Sequence, residues 1–331
     1  MKFRWQWWMW MAVLLAPNLS RAAGNVADTC DSDGDGKVDD FDPTKTSEDA
    51  QGWYLAHATS LGMVLSPLGV ATTLKPMQFN VSLELNQIKY LSCQEQAVLD
   101  GTKTEDTNKT PLLPRPRLTL ALPFSWISVV GLPPAKLFGV KTGVVGGDIG
   151  ARVPYGDGNG TAALRGHVVA GQIVGDIAHP YGALPGDPGY EDLAIDDEYQ
   201  FFTAGVDVST SWKVPVAGQT LTPYLGAGWI KANSIFFIGE DSYEVFAGEY
   251  FLKYYHDELG GSKLPGYVGP DLFAGASLGP VGKLEGALEF FFIPVRFSIP
   301  EELYVSGEPN AYTRNYTSLR VRVGYTFGKN K

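Results

Sequence analysis

The segment Thr317-Ser-Leu-Arg-Val-Arg-Val-Gly-Tyr-Thr-Phe327 alternates between two kinds of side chain along its whole length. Leu319 and Val321 belong to an apolar set, whereas Arg320 and Arg322 belong to a polar set on the opposite face. A period of two is typical of a β-strand with one apolar and one polar face. The segment is also long enough to cross a membrane as a tilted strand, which needs about 9–11 residues.

The same alternation recurs through the chain. It is clear in 79–86, 118–126 and 202–212, and weaker, Gly-rich candidates are 136–153, 161–178, 220–238, 244–256, 266–278 and 281–297. Together these segments predict an all-β, antiparallel fold of about ten strands, within a range of eight to twelve, over residues 77–331. Loop lengths are expected to alternate between long and short along such a chain. The long 92–114 and the short 130–135 fit this order, but 179–197 is long where a short turn is expected and 215–219 is short where a long loop is expected. We therefore expect one strand in the middle of the chain to be wrongly placed.

Composition is compatible with either a soluble all-β protein or a transmembrane barrel, and strand length and the positions of the aromatic residues favour the barrel. Of the 331 residues, 44% are apolar, 12% are aromatic and only 19% are charged. No apolar run long enough for a membrane helix follows the N-terminus, which excludes a helical bundle. Strands of soluble proteins are usually about five or six residues long. Aromatic residues at the predicted strand ends suit the interfacial girdles of a transmembrane β-barrel; they are Tyr90, Trp126, Tyr155, Tyr199, Trp212, Trp229, Tyr267 and Tyr325.

Residues 1–22 have the pattern of a secretory signal peptide. Lys2 and Arg4 precede an apolar stretch, and the small residues Ser20 and Ala22 precede the predicted cleavage site. The mature chain is therefore expected outside the cytoplasm. The formal net charge of the full sequence is −10, which disfavours a nucleic-acid partner.

Residues 23–50 contain an Asp-rich segment with the spacing of a calcium loop. Carboxylates fall at positions 1, 3, 5, 9 and 12, Gly36 occupies the turn position, and a backbone carbonyl is expected at position 7. The predicted ligands are Asp31, Asp33, Asp35, Lys37, Asp39 and Asp42. The segment resembles the calcium repeat of thrombospondin type 3 modules, with Asp42 where the general calcium loop has Glu. We predict that it binds Ca²⁺.

Cys30 and Cys93 are the two cysteines of the chain. An oxidising compartment allows them to form a disulfide, which would stabilise the fold by about 4 kcal/mol on the entropic account. The alternative is a pair of free thiols.

Residues 77–331 resemble the bacterial outer-membrane β-barrel proteins. The last strand, which ends at Phe327, is similar to the terminal strand that the barrel-assembly machinery recognises, although four residues follow it. The resemblance implies a place in the bacterial outer membrane, in contact with its lipid and lipopolysaccharide. We expect residues 51–76 to form either a linker or a luminal plug, with a helix as one option. A helix-like stretch before the first strand is similar to barrels of the long-chain fatty-acid transporter type, whose N-terminal segment plugs the lumen.

No hydrolase, zinc-protease or redox motif occurs in the chain, and its four histidines lack metal spacing, so we predict that it is not an enzyme. The leading hypothesis is a narrow or plugged pore for a small solute, with Arg320 and Arg322 in its lumen. One alternative is a structural or adhesive envelope protein that binds partners through loops 92–114, 179–197 and 298–312. Another is a lipid-modifying barrel enzyme.

We expect calorimetry to detect Ca²⁺ binding both to a peptide of residues 23–52 and to the whole protein. Six oxygen ligands at this spacing suit a hard divalent cation. Absence of a binding heat at millimolar metal from both samples would contradict the prediction.

Overall fold

A computed structural model describes residues 68, 74–87, 97–98, 103–105, 112–137, 140–175, 178–180, 197–237, 266–281, 283–294 and 316–328. The strands are β1 (Phe79–Gln87), β2 (Ala97–Val98), β3 (Lys103–Glu105), β4 (Leu112–Ala121), β5 (Ser125–Leu137), β6 (Val140–Tyr155), β7 (Gly160–Gly175), β8 (Ala178–Pro180), β9 (Asp197–Trp212), β10 (Val214–Val216), β11 (Gln219–Phe237), β12 (Gly266–Val281), β13 (Leu284–Ile293) and β14 (Tyr316–Phe327). Among these residues, no helix is both long enough and apolar enough to cross a membrane.

Ten of these strands form a closed antiparallel barrel, as the alternation predicts. The order around the barrel is β1-β4-β5-β6-β7-β9-β11-β12-β13-β14, and β14 pairs again with β1. Each neighbouring pair is antiparallel, and the barrel strands are 9 to 19 residues long. The short strand β10 extends the hairpin between β9 and β11.

The strand predicted over 118–126 is wrong, because residues 122–124 form a turn that divides it between β4 and β5. Conversely, the predicted short loop 130–135 lies within β5, and the next connection consists of residues 138–139. This one misplacement explains why the predicted loop lengths failed to alternate. The candidate strand 244–256 lies outside the described residues, and the barrel closes without it.

The two ends of the barrel differ. At one end the connections are tight turns at 122–124, 156–159 and 217–218, and only two residues separate β12 from β13. Ala217 and Gly218 both have positive φ, 49° and 77°, which is the type I′ geometry that suits a two-residue hairpin. We call this end the turn end. At the opposite end the chain segments between barrel strands are mostly much longer, and β2, β3 and β8 pair into a separate three-stranded sheet within them.

The outer face of the barrel is apolar. Val145, Ile149 and Val153 of β6 are each more than 60% exposed, and alternate residues of the neighbouring strands expose Leu164, Val206 and other large apolar side chains in the same way. Polar and charged side chains instead point inward and are buried. A surface with apolar residues outside and polar residues inside is the arrangement of a barrel that contacts lipid.

The first and last barrel strands, β1 and β14, pair with each other and so close the barrel. An aromatic pair lies at the turn end of this seam. Phe79 of β1 lies directly opposite Phe327 of β14, and their rings stack with centroids 4.8 Å apart. Inside the wall, the Asn80 side-chain amide donates to the Thr326 hydroxyl at 3.2 Å. Aromatic pairs opposite one another on neighbouring strands add to sheet stability. The Phe79–Phe327 pair therefore stabilises the pairing of β1 with β14.

One seam is paired over a shorter length than the others. Between β4 and β5 the register runs only from Arg117 opposite Val130 to Ala121 opposite Trp126, although β5 continues to Leu137. Pro114 and Pro116 of β4 carry no N–H to donate. β4 nevertheless pairs along its length with β1 on its other side.

Aromatic side chains lie over inward-facing glycines of neighbouring strands. A Cβ placed on Gly150 of β6 would lie 2.1 Å from the indole ring of Trp126 in β5. The same close approach recurs between Gly226 and Phe273, where the distance would be 2.2 Å. The missing side chain at each glycine therefore provides the space that the neighbouring ring fills.

We expect Gly150→Ala to destabilise the folded barrel by about 1–3 kcal/mol, because the indole of Trp126 must move to admit a methyl group. Gly166→Ala is the matched control: the nearest atom to its Cβ would be 4.0 Å away. Urea unfolding in detergent, together with heat-dependent gel migration, measures both variants. Equal stability of the two would contradict the packing described here.

Candidate functional site in the barrel lumen

The lumen is lined by charged side chains from neighbouring strands around the whole barrel. Among the described residues, the buried charged groups are Glu84, Arg115, Arg117, Asp148, Arg165, Asp207, Asp271, Glu285, Glu289, Arg320 and Arg322, joined by His167. They come from all of the barrel strands except β5 and β11, which contribute Trp126, Ser128 and Tyr224 to the same network. Carboxylates and guanidinium groups therefore meet inside the wall in nearly equal numbers.

Glu84 of β1 is the centre of one cluster. Its carboxylate accepts hydrogen bonds from Arg115 at 3.1 Å and from Arg117 at 2.7 Å, and the three side chains are almost completely buried. The two arginines are two residues apart on β4, so both point inward at the position where β4 pairs with β1. Because a buried charge is costly unless it is paired and hydrogen-bonded, these arginines are what allow Glu84 to remain inside.

Asp148 of β6 extends this cluster to the next strands. It accepts from Arg117 at 2.7 Å, from the indole N–H of Trp126 at 2.6 Å and from the hydroxyl of Ser128 at 3.3 Å. The expectation that Trp126 belongs to an outer aromatic girdle is therefore wrong. The turn at 122–124 changes the alternation between β4 and β5, and it turns Trp126 inward, where the side chain is 2% exposed.

A second cluster lies on β7 and β9. Arg165 and Asp207 form a two-point ion pair, with Nη2 to Oδ2 at 2.7 Å and Nε to Oδ2 at 3.0 Å. His167 Nε2 lies 3.5 Å from the same carboxylate. Gly228 of β11 leaves the space between Asp207 and Asp271, since a Cβ there would approach both side chains within 2.8 Å.

The third cluster lies on the strands that complete the barrel. Arg320 of β14 donates to Glu289 of β13 at 3.3 Å and lies over the ring of Phe291 with 3.6 Å to its centroid. Tyr224 of β11 donates its hydroxyl to the other oxygen of Glu289 at 3.2 Å. Arg322 pairs with Glu285 at 3.3 Å. A guanidinium that stacks on an aromatic face and pairs with a carboxylate keeps its charge compensated although it is buried.

Leu68 lies inside the lumen, although it precedes the first barrel strand. Its side chain is completely buried and packs with Tyr224, Phe273 and Phe291 on the inner wall. Its carbonyl oxygen accepts from Arg165 at 2.7 Å, and its N–H donates to Glu84 at 3.4 Å. The chain before β1 is therefore held between the first two clusters.

Leu74 fixes the same segment closer to the turn end. Its carbonyl oxygen accepts from Arg152 of β6 at 2.9 Å, and its side chain is buried. Five residues lie between Leu68 and Leu74, so their Cα atoms can be at most about 20 Å apart. Leu68, deep in the lumen, and Leu74, near the turn end, are thus two points at which the chain before β1 is bound to the inner wall.

The structure places Arg320 and Arg322, selected from the alternation of β14, in the lumen. It adds Arg115, Arg117 and Glu289 to them, which sequence reasoning missed. The segment Pro114-Arg-Pro-Arg-Leu118 has the same period of two, but its prolines made it look like the end of a loop. Glu285 and Glu289 lie on the same face of β13, four residues apart. This spacing does not distinguish a strand from other structures, so it could not by itself place the two carboxylates in the lumen.

The predicted signal peptide, the calcium ligands Asp31 to Asp42 and both cysteines lie outside the described residues, as does most of 51–76. Within the part of the chain that is described, no group of three or more histidine, cysteine, aspartate or glutamate side chains is placed to hold a metal ion.

No protein-family model matches the sequence, and no curated protein is similar enough to count as a relative. The translocator domain of autotransporter NalP from Neisseria meningitidis is a solved structure that resembles this one, with 10% identity, 78% of this chain and 91% of that chain covered, and a TM-score of 0.38. The outer membrane protease OmpT from Escherichia coli matches with 7% identity over 78% and 99% of the two chains and a TM-score of 0.32. The P. putida toluene transporter TodX matches with 8% identity over 78% and 91% and a TM-score of 0.28. At these scores the likenesses assign neither a family nor an activity.

We expect Glu84→Gln to lower the free energy of unfolding by about 3 kcal/mol, because it leaves two buried arginines without their shared counter-charge. Glu198→Gln is the control, since Glu198 lies at the surface and its loss should cost less than about 0.5 kcal/mol. Urea titration of both folded variants in the same detergent measures the difference. A Glu84→Gln barrel as stable as the control would show that the cluster contributes no net stability.

Proposed function

We propose that the protein is a bacterial outer-membrane barrel that acts as a narrow, plugged pore for a small solute. The observation that carries this proposal is Leu68, a residue of the N-terminal segment bound deep in the lumen by Glu84 and Arg165. A segment that occupied the interior around Leu68 would block the route through the barrel. Removal or displacement of this segment would open that route.

The outer surface supports the membrane location. An exposed apolar face, strands of 9 to 19 residues and a closed wall without free edges are the features that a membrane barrel requires. Short turns are typical of the periplasmic side and long loops of the outer side. We therefore propose that the turn end faces the periplasm and that the outer face contacts lipid and lipopolysaccharide. Insertion by the barrel-assembly machinery belongs to the same proposal.

The lumen supports a small solute. A barrel of about this strand number lies between the side-chain-filled eight-stranded barrels and the open channels of sixteen-stranded porins. Ion pairs such as Arg165 with Asp207 and Arg320 with Glu289 join adjacent strands on the inner wall, and their buried side chains take up space in the interior. A route past them is narrow and polar even when Leu68 is absent.

The Asp-rich segment 31–42 and the cysteine pair extend the proposal to the N-terminus. Ca²⁺ bound by this segment would stiffen the chain that leads into the plug, and a Cys30–Cys93 disulfide would tie it to the connection after β1. Both remain predictions from the sequence. The same is true of the expectation that the protein has no enzymatic activity.

We expect a variant that lacks residues 51–73 to conduct ions better than the wild type in planar bilayers and to allow faster swelling of liposomes in small sugars. Leu68→Ala should raise conductance in the same direction but less. Leu118→Ala is the matched control, because this leucine is 51% exposed on the outer face. Heat-dependent gel migration verifies that each variant is folded. If folded forms of both lumen variants stayed as closed as the control, the plug would be refuted.

A second candidate function is adhesion through the long loops. The observation that favours it is the small sheet in which β3 pairs with β8, since this pairing joins two of the long connections into one ordered surface. Replacing residues 97–105 by a Gly-Ser linker should then abolish binding to a partner surface and leave conductance unchanged. Unchanged binding would exclude that surface.

A further inference from the structure

A cavity of about 250 Å³ opens at the turn end of the lumen. Arg152, Ser211 and Thr222 project into it from the inner wall, and Lys75 and Lys213 approach it from the chain segments at the rim. It is separate from the three clusters of ion pairs described above. Leu74 of the N-terminal segment forms part of its wall, so any occupant would contact the same segment that enters the lumen.

The charge of this cavity differs from that of the deeper lumen. Its described lining includes three cationic side chains, from Lys75, Arg152 and Lys213, and no aspartate or glutamate. In the clusters, by contrast, arginines face carboxylates directly, as Arg165 faces Asp207. Arg152 donates to the backbone carbonyls of Leu74 and Leu122, and Lys213 donates to that of Gly158. These bonds hold the side chains of Arg152 and Lys213 at the wall of the cavity.

Thr222 provides an independent indication of a ligand. Its side chain is 2% exposed, and within the described part of the chain its Oγ1 has no hydrogen-bond partner. A buried hydroxyl without a partner is costly, and most such groups in proteins are satisfied by the chain, by water or by a ligand. The hydroxyls of Ser211 and Thr161 line the same space. The cavity therefore offers hydroxyl donors together with positive charge.

The remaining lining is apolar. It includes Pro123 and Phe124 from the turn between β4 and β5 and Pro154 near the end of β6. A wall of this kind suits a short carbon skeleton rather than a bare inorganic ion. The volume lies slightly below the range of about 300–1,000 Å³ for pockets that hold drug-sized ligands, so the occupant has few carbon atoms.

We propose that this cavity binds a small organic anion, a carboxylate or a phosphate ester of a few carbon atoms. The ammonium and guanidinium groups would compensate its charge, Thr222 would donate its hydroxyl proton to an anionic oxygen, and the apolar wall would pack against the carbon atoms. That this anion is the solute of the pore rests on the proposed function. It would then meet Leu74 at the turn end before the plug is released.

Calorimetric titration of the folded full-length protein in an uncharged detergent tests this proposal. Glycerol 3-phosphate and succinate are the anionic probes, inorganic phosphate tests the charge alone, and glycerol is the neutral probe. We expect saturable binding of at least one organic anion, weaker binding of inorganic phosphate and no binding of glycerol. Comparison of the two organic anions distinguishes a phosphate site from a carboxylate site.

Two variants locate the binding to the cavity. Lys213→Gln should weaken the affinity about tenfold, because it removes a charge-assisted contact, and Thr222→Val should weaken it about threefold. Lys136→Gln is the control, since Lys136 is an exposed lysine near the opposite end of β5. Rising salt should weaken binding to the wild type.

The proposal is overturned if neither organic anion binds, if glycerol binds as well as glycerol 3-phosphate, or if Lys213→Gln and Thr222→Val bind as tightly as Lys136→Gln. The conductance of the variant that lacks residues 51–73 is measured without these ligands. A closed lumen variant with intact anion binding would refute the pore and keep the site. An open variant with no anion binding would refute the site and keep the pore.

Discussion

The pairing of β1 with β14 is the constraint on which the rest of the molecule depends. A sheet with free edges leaves backbone N–H and C=O groups without partners, which hydrocarbon does not tolerate. The register from Phe79 opposite Phe327 to Asn86 opposite Arg320 removes both edges at once. Once the sheet is closed, each strand has an outside and an inside, and its alternating residues must divide between lipid and lumen.

Closure also explains how the charged side chains of the lumen compensate one another. Side chains that are far apart in sequence, such as Glu84 and Arg322, are brought onto neighbouring strands and into a small volume. An uncompensated charge there would be expelled or would unfold the wall, whereas pairs such as Arg117 with Asp148 satisfy one another. The same groups offer hydrogen bonds to a chain that enters from outside the barrel. Leu68 uses two of them, so the wall and the N-terminal segment share one network.

The alternation of apolar and polar residues predicted the barrel and placed Arg320 and Arg322 on the inner face, because strand period is a local property. The alternation gives the wrong result at the turn between β4 and β5, because Leu122, Pro123 and Phe124 continue the apolar pattern. It therefore predicts no break there and places Trp126 on the outer face instead of in the lumen. The partners of the luminal charges, the entry of Leu68 and the cavity beside Thr222 depend on contacts between distant strands. Contacts between distant strands leave no periodic pattern in the sequence of any one segment, so the sequence alone does not predict them.

The short ladder between β4 and β5 gives the wall an uneven resistance to rupture. Beyond Arg117 the two strands share no register pairs among the described residues, and Pro114 and Pro116 have no amide hydrogen with which to form any. Tension on the barrel, from a bilayer of unsuitable thickness or from a pulled loop, would concentrate at this line. Amide deuteration would begin there and travel toward the turn at 122–124, while the seam fastened by Phe79 and Phe327 would be among the last to part.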